Sequence, residues 1–138
     1  MTGRPRTVLV IDADPDFLQF MRDLLGDEGH RVETADSVAA ARARLQAVQP
    51  DAVISSLSVW GRDTELAGTV LVGDPQLAGI PLLVCSADIN GLERLRGVAR
   101  EAGLGLLAKP FAIDDLLDQL DRLLDRGDAL GRLGGSAD

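Results

Sequence analysis

One cysteine, one histidine, one tryptophan and no tyrosine among 138 residues remove several chemistries at once. The single Cys85 cannot close an intramolecular disulfide, and its place in the apolar run LLVC suits a small buried hydrophobe better than a redox centre. His30, in the polar turn EGHR, has no second histidine with which to share a metal. Positive charge is scarce as well. A formal net charge of −8 argues against working on the phosphates of nucleic acid or the headgroups of an anionic membrane. No apolar run approaches the roughly 18 residues of a membrane span, and the short polar stretch 1–6 lacks the apolar centre of a secretory signal. The expectation is a cytoplasmic protein with one core, because a chain of this size buries roughly two thirds of its unfolded surface in a single domain.

What is present is alternation. Five short apolar runs, TVLVI (7–11), RVETA (31–35), AVISS (52–56), LLVC (82–85) and LGLLA (104–108), are separated by helical patterns, the signature of βαβ units and a parallel sheet. A first helix is expected from Pro15, a favourable first-turn residue, to Gly26, capped by Asp12 or Asp14 and burying Phe17, Met21, Leu24 and Leu25. Asp36 and Ser37 are good caps for a second helix that runs to Gln46. The third, Thr64 to Val72, holds Gly68 and three β-branched residues and needs packing to impose its shape. The fourth, Gly91 to Ala102, carries Leu92, Leu95, Ala99 and Ala102 on one stripe, and the fifth spans Ile113 to about Leu124. On this reading residues 1–6 are a disordered N-terminus, 7–125 the folded domain, and the glycine-rich 126–138 a flexible tail or linker stub.

Polar groups stand where the apolar runs stop: Asp12 and Asp14 after the first, Ser55 and Ser56 at the end of the third, Ser86 after the fourth, Lys109 and Pro110 after the fifth. Lys109 is the only lysine beside thirteen arginines, so its position favours a compact ammonium over a planar guanidinium. In a doubly wound sheet of order 2-1-3-4-5 the ends of strands one and three flank the topological switch point, and these groups converge there.

The segments VLVIDADPDFL, PDAVISSLSVWG, DPQLAGIPLLVCSA and GLLAKPF together resemble the receiver domain of two-component response regulators, in order and spacing, over roughly residues 6–124. The resemblance implies a flavodoxin-like α/β fold with a five-stranded parallel sheet and five helices. It also implies a phosphoryl-accepting aspartate after the third strand, a magnesium site built on an acidic pair after the first, a hydroxyl after the fourth and a lysine after the fifth. Asp12, Ser86 and Lys109 match that pattern; Ala13 stands where the second acid would be, Ser56 where the acceptor would be, Trp60 in place of a loop proline, and Leu106 at the aromatic switch position.

These departures point to a degenerate phosphorylation pocket, Asp12, Ala13, Asp14, Ser56, Ser86 and Lys109, in an atypical pseudo-receiver. A serine hydroxyl is a weak nucleophile unless a base adjoins it. Three carboxylates and a lysine sum to minus two and need a divalent cation, whereas Asp12 and Lys109 already sum to zero, with Ser56 and Ser86 expected to satisfy their remaining hydrogen bonds. No catalytic residue and no cofactor are therefore expected, and at most weak magnesium binding at Asp12 and Asp14.

Three function classes compete. The first is a non-enzymatic, phosphorylation-independent module that binds protein partners, with a histidine kinase or an output protein as candidates. Its partner surface would be Trp60, Arg96 and Leu106, with homodimerisation through the fourth helix, fifth strand and fifth helix as a further option and no nucleic-acid or membrane partner. The second is a phosphorelay receiver still phosphorylated at Ser56 or Asp14. The third is a small-molecule binder, disfavoured because IDADPD offers acids rather than free amides to a phosphate.

Overall fold

The computed structural model describes residues 6–136, with side chains other than those of 64, 65 and 129–136. Its elements run β1 (Thr7–Ile11), α1 (Pro15–Asp27), β2 (Arg31–Ala35), α2 (Val38–Ala47), β3 (Ala52–Ser56), a 3-10 turn (Leu57–Trp60), α3 (Thr64–Val72), β4 (Leu82–Ser86), α4 (Ile89–Arg94), α5 (Arg96–Ala102), β5 (Gly105–Ala108) and α6 (Ile113–Ser136). The five strands form one parallel sheet in the order β2-β1-β3-β4-β5, the fold class expected from the sequence.

Strand side chains alternate between faces, so β1 sends Val8 and Val10 to one layer and Leu9 and Ile11 to the other. On the first face Met21 and Leu25 of α1 and Leu116 and Leu120 of α6 complete a buried layer with Ile54 and Leu83; on the second, Ala41, Leu71 and Leu95 close over Val53 and Val84. Both faces are covered, which is why the central strands are mostly apolar, with serines only at their carboxyl ends. Local chemistry fixes the helix starts. Pro15 opens α1 behind Asp14, whose carboxylate accepts the Asp16 N–H at 3.0 Å, and Ser37 caps α2 through the Ala40 N–H at 3.1 Å.

Several expectations need correction. Within α1 it is Leu18 that is fully buried, whereas Phe17 and Leu24 are only partly covered. The expected fourth helix is two, α4 and α5, broken at Leu95, whose N–H bonds both the Leu92 and Gly91 carbonyls. Gly91 and Gly97 weaken the helix on either side, and Leu95 packs inward against Gly68, where a Cβ would lie 2.7 Å from its Cδ2. Ala102, placed on the buried stripe, is exposed. Finally, the last helix does not stop near Leu124 but runs to Ser136. Once nucleated a helix gains one bond for each residue added, and Gly127 lets it lie close on Pro81, where a Cβ would meet the ring at 2.8 Å. Arg6, assigned to a disordered N-terminus, pairs with Asp128 of this helix; the rest of that N-terminal assignment, and the end of the tail, lie outside the described residues.

Candidate functional site

The switch point between β1 and β3 holds the expected pair. Asp12 follows β1 and extends its ladder by donating its N–H to the Ala35 carbonyl at 3.0 Å. Lys109 follows β5 and is tied to the next strand end through its N–H to the Ser86 carbonyl at 2.9 Å; the Lys109–Pro110 bond is cis. Their side chains meet: Lys109 Nζ donates to Asp12 Oδ2 at 2.6 Å. The Asp14 N–H donates to Asp12 Oδ1 at 2.9 Å, so both carboxylate oxygens are engaged. The Asp12 side chain is 6% exposed and that of Lys109 26%.

A third partner has no sequence signal. The Lys109 ammonium lies 4.2 Å from the centroid of Phe17, within range of a cation–π attraction. Phe17 meets Phe111 edge-on at 6.2 Å and Phe20 at 6.4 Å, so all three phenylalanines of the chain gather at the mouth of the crevice.

The serines do not join this pair, contrary to the expectation that they complete its hydrogen bonds. Ser56 Oγ lies 2.9 Å from Ser58 Oγ, and Ser86 Oγ accepts the Asp88 N–H at 3.0 Å, just before Asp88 caps α4 through the Gly91 N–H. Serine hydroxyls take local partners two residues on because those are in reach without ordering anything further. Ser55, fully buried, donates to the Ser56 carbonyl at 3.1 Å and accepts the Trp60 indole N–H at 2.8 Å.

That bond corrects the assignment of Trp60 to a partner surface. The indole is buried, only 9% exposed, with the Arg42 guanidinium 6.0 Å from its ring centroid. Arg42 in turn reaches Asp74 and the Gln76 amide oxygen, each at 2.7 Å. Burial pushes the Asp74 carboxyl up, but hydrogen bonds from Arg42 and from the N–H groups of Gln76 and Leu77 outweigh it and hold it below the usual range. Trp60 is thus an anchor for the loop after β3.

Ala13 is exposed and offers no side-chain ligand, and Asp14 caps α1 through Oδ1. Among the described residues no three His, Cys, Asp or Glu side chains gather as a metal site. Cys85 is 1% exposed and burial pushes its thiol up to about 12, with Lys109 drawing it down and Asp12 adding to the rise. Arg96 is on the surface, as expected, gripped by Glu93 at 2.8 and 2.9 Å. Leu106, expected at the aromatic switch position, is half-buried in β5, and its carbonyl accepts the Gln119 side-chain amide at 3.1 Å.

A five-stranded parallel sheet of this order, with an aspartate and a lysine meeting across its switch point, defines the flavodoxin-like class of doubly wound α/β domains. Residues 8–121 match the model of the response regulator receiver domain, and the chain belongs to that family. It is 29% identical to the probable transcriptional regulatory protein TcrX of Mycobacterium tuberculosis over 90% of this chain and 52% of that protein. It is 31% identical to the transcriptional regulatory protein KdpE of the same species over 91% of this chain and 54% of that one. The chain therefore spans about half the length of these relatives. Among solved structures it is similar to the chemotaxis response regulator CheY4 of Vibrio cholerae, with a TM-score of 0.68 at 25% identity, covering 86% of this chain and 98% of that one. Among the described residues no helix is long and apolar enough to cross a membrane.

Proposed function

We propose that this receiver domain signals by docking a protein partner in a single, unphosphorylated state, as a pseudo-receiver with no catalysis of its own. The observation that carries the reading is the direct contact of Lys109 Nζ with Asp12 Oδ2 at 2.6 Å, beside a serine in the place of the acceptor. The residues present do not fit a divalent cation: both Asp12 oxygens already accept hydrogen bonds, Ala13 has no side-chain oxygen, and Asp14 caps a helix. Magnesium demands a near-octahedral set of oxygens, and a cation entering here would have to displace an ammonium. Ser56 fares no better as a nucleophile, since its partner is the Ser58 hydroxyl rather than a base. The docking face in this reading is formed by α5, β5 and α6, where Arg96 and Leu106 lie.

The test is to incubate the chain with acetyl phosphate and magnesium and to follow intact mass and magnesium binding. The expected result is no phosphoryl adduct and no saturable magnesium binding at low millimolar concentration, with both appearing in an Ala13→Asp, Ser56→Asp variant. An adduct on Ser56 or Asp14 of the wild type would replace this reading with that of a working phosphorelay receiver.

A further inference from the structure

α3 buries one apolar side and leaves another in water. Ala67 and Leu71 are each 1% exposed and Gly68 seats Leu95, so these residues fix its inward face. A helix that is apolar all round is expected to be covered all round, and within α3 only Thr64, Glu65 and Thr69 are polar. Yet Leu66 is 64% and Val70 44% exposed. With Thr69 and Gly73, both exposed, they recur at the i, i+3, i+4, i+7 spacing of a single helix face. No charged residue occurs from 66 to 73, in a chain with 22 acidic and 14 basic residues.

The order of sizes along this face selects the occupant. Leu66 and Val70 are large, Thr69 and Gly73 small. A Cβ at Gly73 would meet only its own Thr69 carbonyl, at 3.4 Å, so the space beside it is open. When a second copy of the face is turned end for end about a point between positions 69 and 70, Leu66 falls opposite Gly73 and Val70 opposite Thr69. Each large side chain then meets a small one, and two-fold symmetry makes every contact twice. The same reversal sets the two helix dipoles antiparallel. It also carries the exposed Arg62, which precedes α3, to the carbonyl end of the opposite helix, where a cation is favoured. Two molecules of net charge −8 repel least where they meet through a stretch without acidic groups. We infer that α3 is a self-association surface, on which two copies of this chain pack antiparallel through Leu66, Thr69, Val70 and Gly73. A stripe two turns long spans about 10 Å, less than a permanent interface needs, so the dimer is weak and reversible. None of these residues belongs to the α5, β5 and α6 face of the docking reading, so the two stand or fall separately.

The test is sedimentation velocity of the full chain from about 10 μM to about 1 mM, the range that so small an interface calls for. The expected result is an average mass that rises with concentration towards that of a dimer. Leu66→Ala removes both large side chains from the interface and Gly73→Leu fills both holes, and each should weaken the dimer by about tenfold or more. Leu66→Ala and Gly73→Leu together move the large residue to the other end of the stripe, where it again faces a small one. That double variant should return to within about threefold of the wild type. Both sites are exposed, and Gly73 has a φ of −85° that any residue adopts, so thermal melting should be unchanged. Amide resonances of the wild type that shift with concentration, centred on 62 and 66–73, read the same face without any substitution. A chain monomeric throughout would leave the face to a different protein and overturn the inference. A dimer indifferent to both single substitutions, or concentration-dependent shifts centred on β5, would overturn it by placing the contact elsewhere. Single losses that simply add in the double variant would overturn the antiparallel register on which it rests.

Discussion

Lys109→Met is the sharpest perturbation of the site, because it removes the ammonium and leaves most of the stem, with a sulfur to meet the Phe17 ring. Asp12, its side chain 6% exposed, would keep the Asp14 N–H and lose its counter-charge. Removing one partner of a fully buried ion pair costs about 3–5 kcal/mol. Here the Lys109 side chain is 26% exposed, so water screens the pair and can follow the ammonium out, and about 2–3 kcal/mol is the expected loss. Asp12→Asn leaves a lysine that can turn to solvent and should cost less, about 1–2 kcal/mol. The double variant holds no uncompensated charge and should be more stable than the sum of the singles predicts, by about 1–2 kcal/mol. Urea unfolding followed through Trp60, the single tryptophan, reads all four proteins. With a slope of about 1–3 kcal/mol/M, the Lys109→Met loss moves the midpoint by about 0.7–3 M. A loss below about 1 kcal/mol, or strict additivity in the cycle, would show that the contact carries no coupling and would refute the charge-balance argument.

Asp74 contributes a second, pH-dependent term. Its carboxyl is held below its ordinary value, so its stabilisation is complete above the unfolded pKa of about 3.9 and is lost as pH falls through the lower folded value. Arg42→Met should move the acid-unfolding midpoint to higher pH; coincident acid limbs for variant and wild type would sink the assignment. Trp60→Phe removes the indole N–H from Ser55 Oγ and part of a buried ring, and should lower stability by about 1–3 kcal/mol. Far-ultraviolet circular dichroism measures it, and a neutral result would return Trp60 to the surface.

Much of the fold was legible. β1, β2 and β3 begin and end where the runs do, because short segments rich in β-branched and apolar residues between turn signals mark strands. Pro15 and Ser37 mark their helix starts because capping is a local bond within three residues. The candidate site was legible as a set of residue types at strand ends, which the strand order places at one end of the sheet.

The rest waited on packing. Gly68 reads in sequence as a weakness in α3, yet it is the gap that seats Leu95. Trp60 carries no sign of burial until Ser55, five residues away on β3, offers its hydroxyl. Nor does Phe17 announce that it faces an ammonium from position 109. Sequence alone determined the layered α/β order and the chemistry available at the switch point, since periodicity and capping act over a few residues. Tertiary structure decided which of those groups touch, because Asp12 and Lys109 are 97 positions apart and a serine's choice between a charged pair and its own loop turns on distances that only the folded chain sets.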